Sequence, residues 1–204
     1  MIPRLKCCGS ILLIVFLLTA AVRSAELNGK VMTAEGRAVP GAIVYAESGP
    51  DLDSIATPQE KWKLQGRRLI PQVFVARAEQ PLVVSNEDPL GYTLFIRFNQ
   101  GDFQSRMLKP AKQTEFLTGK PELFARATDD LNGIYGHVCV LKHLVYAMTD
   151  EEGKFQFGNL PPGKYTFGAA HLREGRTTGE VTIGQQNTSV DFTLPGRKKA
   201  EMGR

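Results

Sequence analysis

Side chains that can hold a metal or carry nucleophilic chemistry are scarce in this sequence. Its 204 residues include 3 cysteines, 3 histidines and 1 tryptophan. Cys7 and Cys8 fall within the first eight residues, which leaves Cys139 as the only cysteine of the body. An internal disulfide in the body is therefore excluded, and stability has to come from an apolar core. A sustained 3.6-residue apolar period is also missing, which excludes a helical bundle and leaves room only for short helical turns, near Gln59 to Leu64 or Pro121 to Arg126. No nucleophile elbow occurs around any serine, and no glycine run links a strand to a helix as a phosphate cradle.

A strong excess of one charge is lacking too. The formal net charge is +4, but Arg4, Lys6 and Arg23 all lie ahead of position 25, with no acid among the first 24 residues. Without that stretch, 22 basic residues face 21 acidic ones. Several of the basic ones sit in a terminal tail over 196–204, where Arg197, Lys198, Lys199 and Arg204 face only Glu201. The body is nearly neutral, which argues against a nucleic-acid partner.

The first residues predict export. Arg4 and Lys6 precede the apolar run Ile11 to Leu18, small residues follow, and Ser24 supplies a small last residue for a signal peptidase. The run is short for a bilayer span and has the charged flank of a secretory leader. Cleavage after Ser24 would leave a periplasmic or secreted protein of 180 residues, with no membrane span.

What remains is rich in short β-type runs bounded by Gly, Pro, Asn and Asp, at spacings that suit sandwiches or barrels. They include LNGKVMTA from Leu27, AIVYA from Ala42, QVFVA from Gln72, LVVS from Leu82, YTLFIRF from Tyr92 and HVCVL from His137. KFQF from Lys154, KYTFGAA from Lys164, EVTI from Glu180 and SVDFTL from Ser189 follow. Asp150 to Gly153 and Pro161-Pro162-Gly163 carry hairpin-turn chemistry. Asp51 to Arg68 is polar and reads as a long connection. The predicted class is all-β, with two small sandwiches.

Two resemblances sharpen that expectation. LNGKVMTAEGRAVPGAIVYAE (27–47) and the stretch from Tyr146 to Leu194, with its TDEEGKF and PPGKY motifs, together resemble a carboxypeptidase regulatory-like domain, a prealbumin-type sandwich of the carbohydrate-binding-like kind. About a hundred residues separate the two halves, so the resemblance implies a discontinuous sandwich (25–48 and 144–195) with a second domain (49–143) in one of its loops. Loops tolerate such insertions because the entropic cost of length grows slowly. The insert, with PQVFV from Pro71 and LVVSNEDPLGYTLF from Leu82, resembles the plastocyanin-like cupredoxins. The combination resembles exported proteins of the methylamine-utilisation type.

A blue-copper centre uses two imidazoles and a thiolate, with a weak axial methionine. The resemblance places the first histidine four residues after the aspartate of Asn86-Glu87-Asp88, at Tyr92. It places the cysteine, second histidine and methionine at Thr128, Leu131 and Ile134. None of the four has the family's donor, which implies a copper-free domain in which these residues form an apolar, hydrogen-bonded cluster. A competing ligand set is Cys139, His143 and Met148, which would make the protein a periplasmic type-1 copper electron carrier. HVCVL reads as a strand rather than a ligand loop, however, and Met148 leaves no room for a final strand before the TD motif.

Other candidates have plainer readings. Asp129-Asp130 reads as a solvated loop, His171 as a partly exposed imidazole at a strand end, and Asn187-Thr188-Ser189 as a formal glycosylation sequon. The expectation is a non-enzymatic binding or assembly module of the cell envelope, without catalytic, cofactor or metal residues. Its partner would be an envelope protein or a polysaccharide.

Overall fold

Alternation of buried and exposed side chains defines the first strand. In β1 (Ala25–Thr33), Ala25, Leu27 and Val31 are buried while Glu26, Asn28 and Lys30 face solvent. The computed structural model describes residues 25–55, 61–98 and 101–196. The expected leader (1–24) and residues 197–204 of the expected tail lie outside the described residues. The remaining strands are β2 (Ile43–Ser48), β3 (Trp62–Gln65), β4 (Arg68–Ile70), β5 (Val73–Arg77), β6 (Pro81–Asn86), β7 (Tyr92–Arg97), β8 (Phe103–Leu108) and β9 (Gln113–Leu117). They continue with β10 (Glu122–Asp129), β11 (Ile134–Leu141), β12 (Tyr146–Met148), β13 (Lys154–Leu160), β14 (Gly163–His171), β15 (Gly175–Ile183), β16 (Thr188–Ser189) and β17 (Phe192–Leu194).

These strands form two sandwiches. In the first, β1 pairs with β13, β16 and β17, opposite a sheet ordered β12-β2-β14-β15. Between the sheets lies a core that includes Leu27, Val44, Phe157, Tyr165, Phe167 and Leu194. In the second, β5-β11-β10-β7-β8 faces β4-β3-β6-β9. Its core includes Trp62, Phe74, Leu94, Ile96, Phe116 and Val138, with the Trp62 and Phe74 rings stacked at 5.4 Å. The non-sequential strand order, with β5–β11 and β3–β6 parallel, is of Greek-key type.

The TD motif joins distant segments of the first sandwich. The buried Thr149 hydroxyl accepts from the Ala42 amide at 2.8 Å and donates to the Val39 carbonyl at 2.6 Å. The Asp150 carboxylate accepts from the amides of Glu152 (3.0 Å) and Lys154 (2.8 Å), and the Gly153 amide closes the turn on the Asp150 carbonyl. Gly153 adopts φ 73, where a Cβ would also press on the Val31 carbonyl, so glycine is required there.

The two sandwiches meet along an apolar seam. Val75, Cys139 and Leu141, on the outer face of β5 and β11, pack against Ile43 and Tyr45 of β2 and Ala170 of β14. At the rim, Asp53 Oδ1 lies 2.8 Å from Arg77 Nη2 and 2.9 Å from His143 Nδ1. This ties the chain leaving β2 to the strands of the second sandwich.

Some local expectations are corrected. The helical turns expected near 59–64 and 121–126 give way to β3 and β10, because Trp62 and Leu64 alternate into the core and Ala125 and Ala127 do the same; residues 59 and 60 lie outside the described residues. The stretch from Asp51 to Arg68 is no plain connection, since it contains β3 and a 3-10 turn at Leu52–Ser54. Neither expected hairpin turn joins paired strands: β12 and β13 lie in opposite sheets, as do β13 and β14.

Replacing Thr149 with valine keeps the shape but leaves the Ala42 amide and Val39 carbonyl without its hydroxyl. Such a loss should cost about 1–3 kcal/mol. Urea melts should show a lower midpoint with an unchanged slope; an unaltered midpoint would contradict the bridging role.

Candidate functional site

The sequence points to one end of the second sandwich, where the β6–β7 loop meets the β10–β11 turn. Asn86 is buried, and its Nδ2 donates to the carbonyls of Leu90 (2.8 Å) and Leu108 (3.0 Å). Its Oδ1 accepts the Asp88 amide at 3.0 Å. The Asp88 carboxylate accepts from the amides of Gly66 (2.6 Å) and Arg67 (2.9 Å) and from the Tyr92 hydroxyl (3.0 Å). Gly66 and Arg67 both have positive φ, as a two-residue hairpin turn between β3 and β4 requires, and this aims their amides at the carboxylate. Burial alone would raise the Asp88 pKa, but the two amides and the phenol outweigh it and hold the group below the usual carboxylate range. Burial and the adjacent Asp88 carboxylate push the Tyr92 phenol up.

The four positions aligned with copper ligands do not converge, which corrects the expected cluster. Tyr92 (5 % exposed) and Ile134 (1 % exposed) share the second core. Thr128 is half-buried on the outer face of the sheet, paired in register with Phe95 and Tyr135. Leu131 is 98 % exposed at a 3-10 turn, Asp130–Asn132. The cause is a tight connection. The Asp129 carboxylate accepts from the amide (3.3 Å) and side chain (2.8 Å) of Asn132, and Gly133 closes the turn at φ 67. Asp129 also accepts the Thr93 amide at 3.1 Å and is buried, so only Asp130 of that pair fits the solvated reading.

This donor set does not fit copper. A phenol engaged by a carboxylate, a hydroxyl and two hydrocarbons offer neither imidazole nor thiolate. The competing set fits no better, because its members occupy three different environments. Cys139 is fully buried in the seam, where burial pushes its thiol up to about 12. His143 is held by Asp53, and Met148 is exposed on β12 of the other sandwich. Among the described residues, no group of three His, Cys, Asp or Glu side chains is placed to hold a metal ion.

A second feature was not visible in the sequence. Beside the seam opens a cleft of about 680 Å³, lined by residues that include Tyr45, Glu47, Phe124, Lys142, His171 and Arg176. The Tyr45 hydroxyl donates to Glu47 at 3.1 Å, and burial, followed by the Glu47 charge, raises its pKa. His171 ends β14 as expected; burial lowers its pKa, and its buried Nδ1 has no hydrogen-bond partner among the described residues. Aromatic faces mixed with both signs of charge suit contact with a ligand. These residues come from four strands and neighbouring loops far apart in the chain, so no local motif marks them.

No family model matches the chain, and no curated protein matches it. Among solved structures, an oxidised amicyanin variant is 8 % identical, with a TM-score of 0.36, over 48 % of this chain and 97 % of that one. A reduced variant and a Cu(I) variant of amicyanin are each 10 % identical, with a TM-score of 0.36, over 49 % of this chain and 98 % of theirs.

Because the folded Asp88 pKa is depressed, its stabilising contribution is present above the unfolded value of about 3.9 and is lost as pH falls through the folded value. Tyr92→Phe removes one donor to the charged form and should cost about 1.5–3 kcal/mol near neutral pH. The gap to the unaltered protein should shrink as melts are repeated at pH values falling progressively below about 3.9, through the folded value. A gap that stays constant with pH would contradict the charged Asp88–Tyr92 pair.

Proposed function

We propose that this chain is an exported, non-enzymatic binding or assembly module of the cell envelope, in which a plastocyanin-like sandwich without copper is inserted into a sandwich of carboxypeptidase regulatory-like type. The observation that carries the copper-free part is the chemistry of the family's ligand positions. Tyr92 is committed to Asp88, Thr128 lies on the outer face, Leu131 is in solvent and Ile134 is in the core. The insertion is supported by the pairing of β1 with β13 and of β2 with β12 and β14, because the terminal segments have no core except with each other. Export rests on the charged and apolar start of the sequence. Among the described residues, no helix is long and apolar enough to cross a membrane.

The mixed-polarity cleft supports a binding role, since its side chains can contact a ligand but are not arranged as nucleophile and base. Two sandwiches joined by an apolar seam would present that cleft on a stiff frame.

Adding Cu(II) should produce no thiolate-to-copper absorption and should leave the melting temperature unchanged, because only a ligand that binds the native state raises it. Intense visible absorption together with a copper-dependent rise in melting temperature, both abolished by Cys139→Ser, would overturn this reading in favour of the electron carrier.

A further inference from the structure

The outer face of the five-stranded sheet is divided between two uses. Around Val75 of β5 and Cys139 and Leu141 of β11 it is covered at the seam by Ile43, Tyr45 and Ala170. Across the rest, strand register places Phe103 of β8, Arg97 of β7, Arg126 of β10 and His137 of β11 in one row. The next row runs Ser105, Phe95, Thr128, Tyr135.

Arg97 and Arg126 are therefore direct cross-strand partners. Like charges in that relation destabilise a sheet, and nothing in the core requires them. Among the described residues, the ion-pair contact of Arg126 is a loose one with Asp130, at 3.6 Å, between side chains 68 % and 81 % exposed. Solvent screens such a pair almost fully. Among the described residues, no carboxylate is within ion-pair distance of Arg97, whose guanidinium lies 5.9 Å from the centre of the Phe103 ring. Phe103 is 54 % exposed and stacks on Phe95 at 5.8 Å and 22°. Two shallow hollows, of about 330 and 520 Å³, share Phe103 and both arginines, and Asp130 is the one acid lining either among the described residues. Phe124 borders the larger hollow and also the seam cleft, where Lys142 and Arg176 stand with Glu47 and Glu122.

We propose that this row is the platform for an acidic polysaccharide, a chain of carboxylate-bearing sugar rings. The inference rests on the binding-module reading and names its ligand. A carboxylate bridging Arg97 and Arg126 forms charge-assisted hydrogen bonds and removes the repulsion between them. The exposed Phe103 ring, backed by half-buried Phe95, offers flat apolar surface for the C–H faces of sugar rings. The two hollows are shallow and lined by arginine and aromatic planes, which suits stacked, repeating rings better than the side-chain sockets that anchor a peptide.

The test is calorimetric titration of the full chain with polygalacturonate, with neutral dextran and with polyglutamate. Polygalacturonate should bind, more weakly as salt is raised, and dextran should not. Arg126→Gln and Phe103→Ala should each weaken binding, the arginine change by at least about tenfold, as expected for lost charge-assisted hydrogen bonds. The melting temperature of Arg126→Gln should be unchanged or higher, because the repulsion with Arg97 is gone. Undiminished binding by the Arg97→Gln/Arg126→Gln double variant, tighter binding of polyglutamate, or no binding of polygalacturonate would each overturn the assignment. None of those results touches the copper-free reading, which stoichiometric Cu(II) uptake in the same samples would overturn separately.

Discussion

Everything in this molecule depends on its two ends finding each other. β1 and β2 contribute inner apolar faces that β12 to β17 cover, and more than a hundred residues separate Ala42 from the Thr149 hydroxyl that receives its amide. Closing so long a loop costs more than closing a short one, but only slowly more with each added residue. The intervening strands β3 to β11 reduce the difficulty by forming their own core. They leave the chain at β2 and return it at β12, and the Asp53, Arg77 and His143 contacts hold the exit and the return together. The seam then makes the second sandwich part of the first one's environment. Cys139 is buried for this reason, on a sheet face that would otherwise be open.

The same economy explains the end of the second sandwich. Where loops meet at the end of a sandwich, buried backbone groups leave a polar opening to be satisfied. Here Asn86 and Asp88 fill it with hydrogen bonds to carbonyls, turn amides and Tyr92, while Asp129 caps the opposing turn. Buried polar groups are tolerated when they are satisfied, and this network satisfies them from four segments of chain. It holds the loops in place through these hydrogen bonds.

Much of the fold was legible because burial alternates along strands. LNGKVMT, AIVYA, YTLFIRF and HVCVL all appear as strands near their expected places. What escaped had weak or interrupted signals. Trp62 and Leu64 sit in a polar stretch, and β8 buries Leu108 alone while Phe103 and Met107 are exposed. Leu131 looked like a core residue by type, and only the turn that Asp129 and Gly133 impose puts it in solvent. The row of Phe103, Arg97 and Arg126 could not be read at all from the sequence, since register is a property of paired strands and not of any one of them.

Copper sets the sharpest boundary on the account, because it separates a scaffold satisfied by its own hydrogen bonds from one built to hold a metal. The most direct measurement is the copper content per chain of protein recovered from cells grown with copper, determined by native mass spectrometry on the intact protein. The account predicts a mass without copper, unchanged by Tyr92→Phe or Cys139→Ser. One copper per chain, lost when Cys139 is replaced, would contradict it.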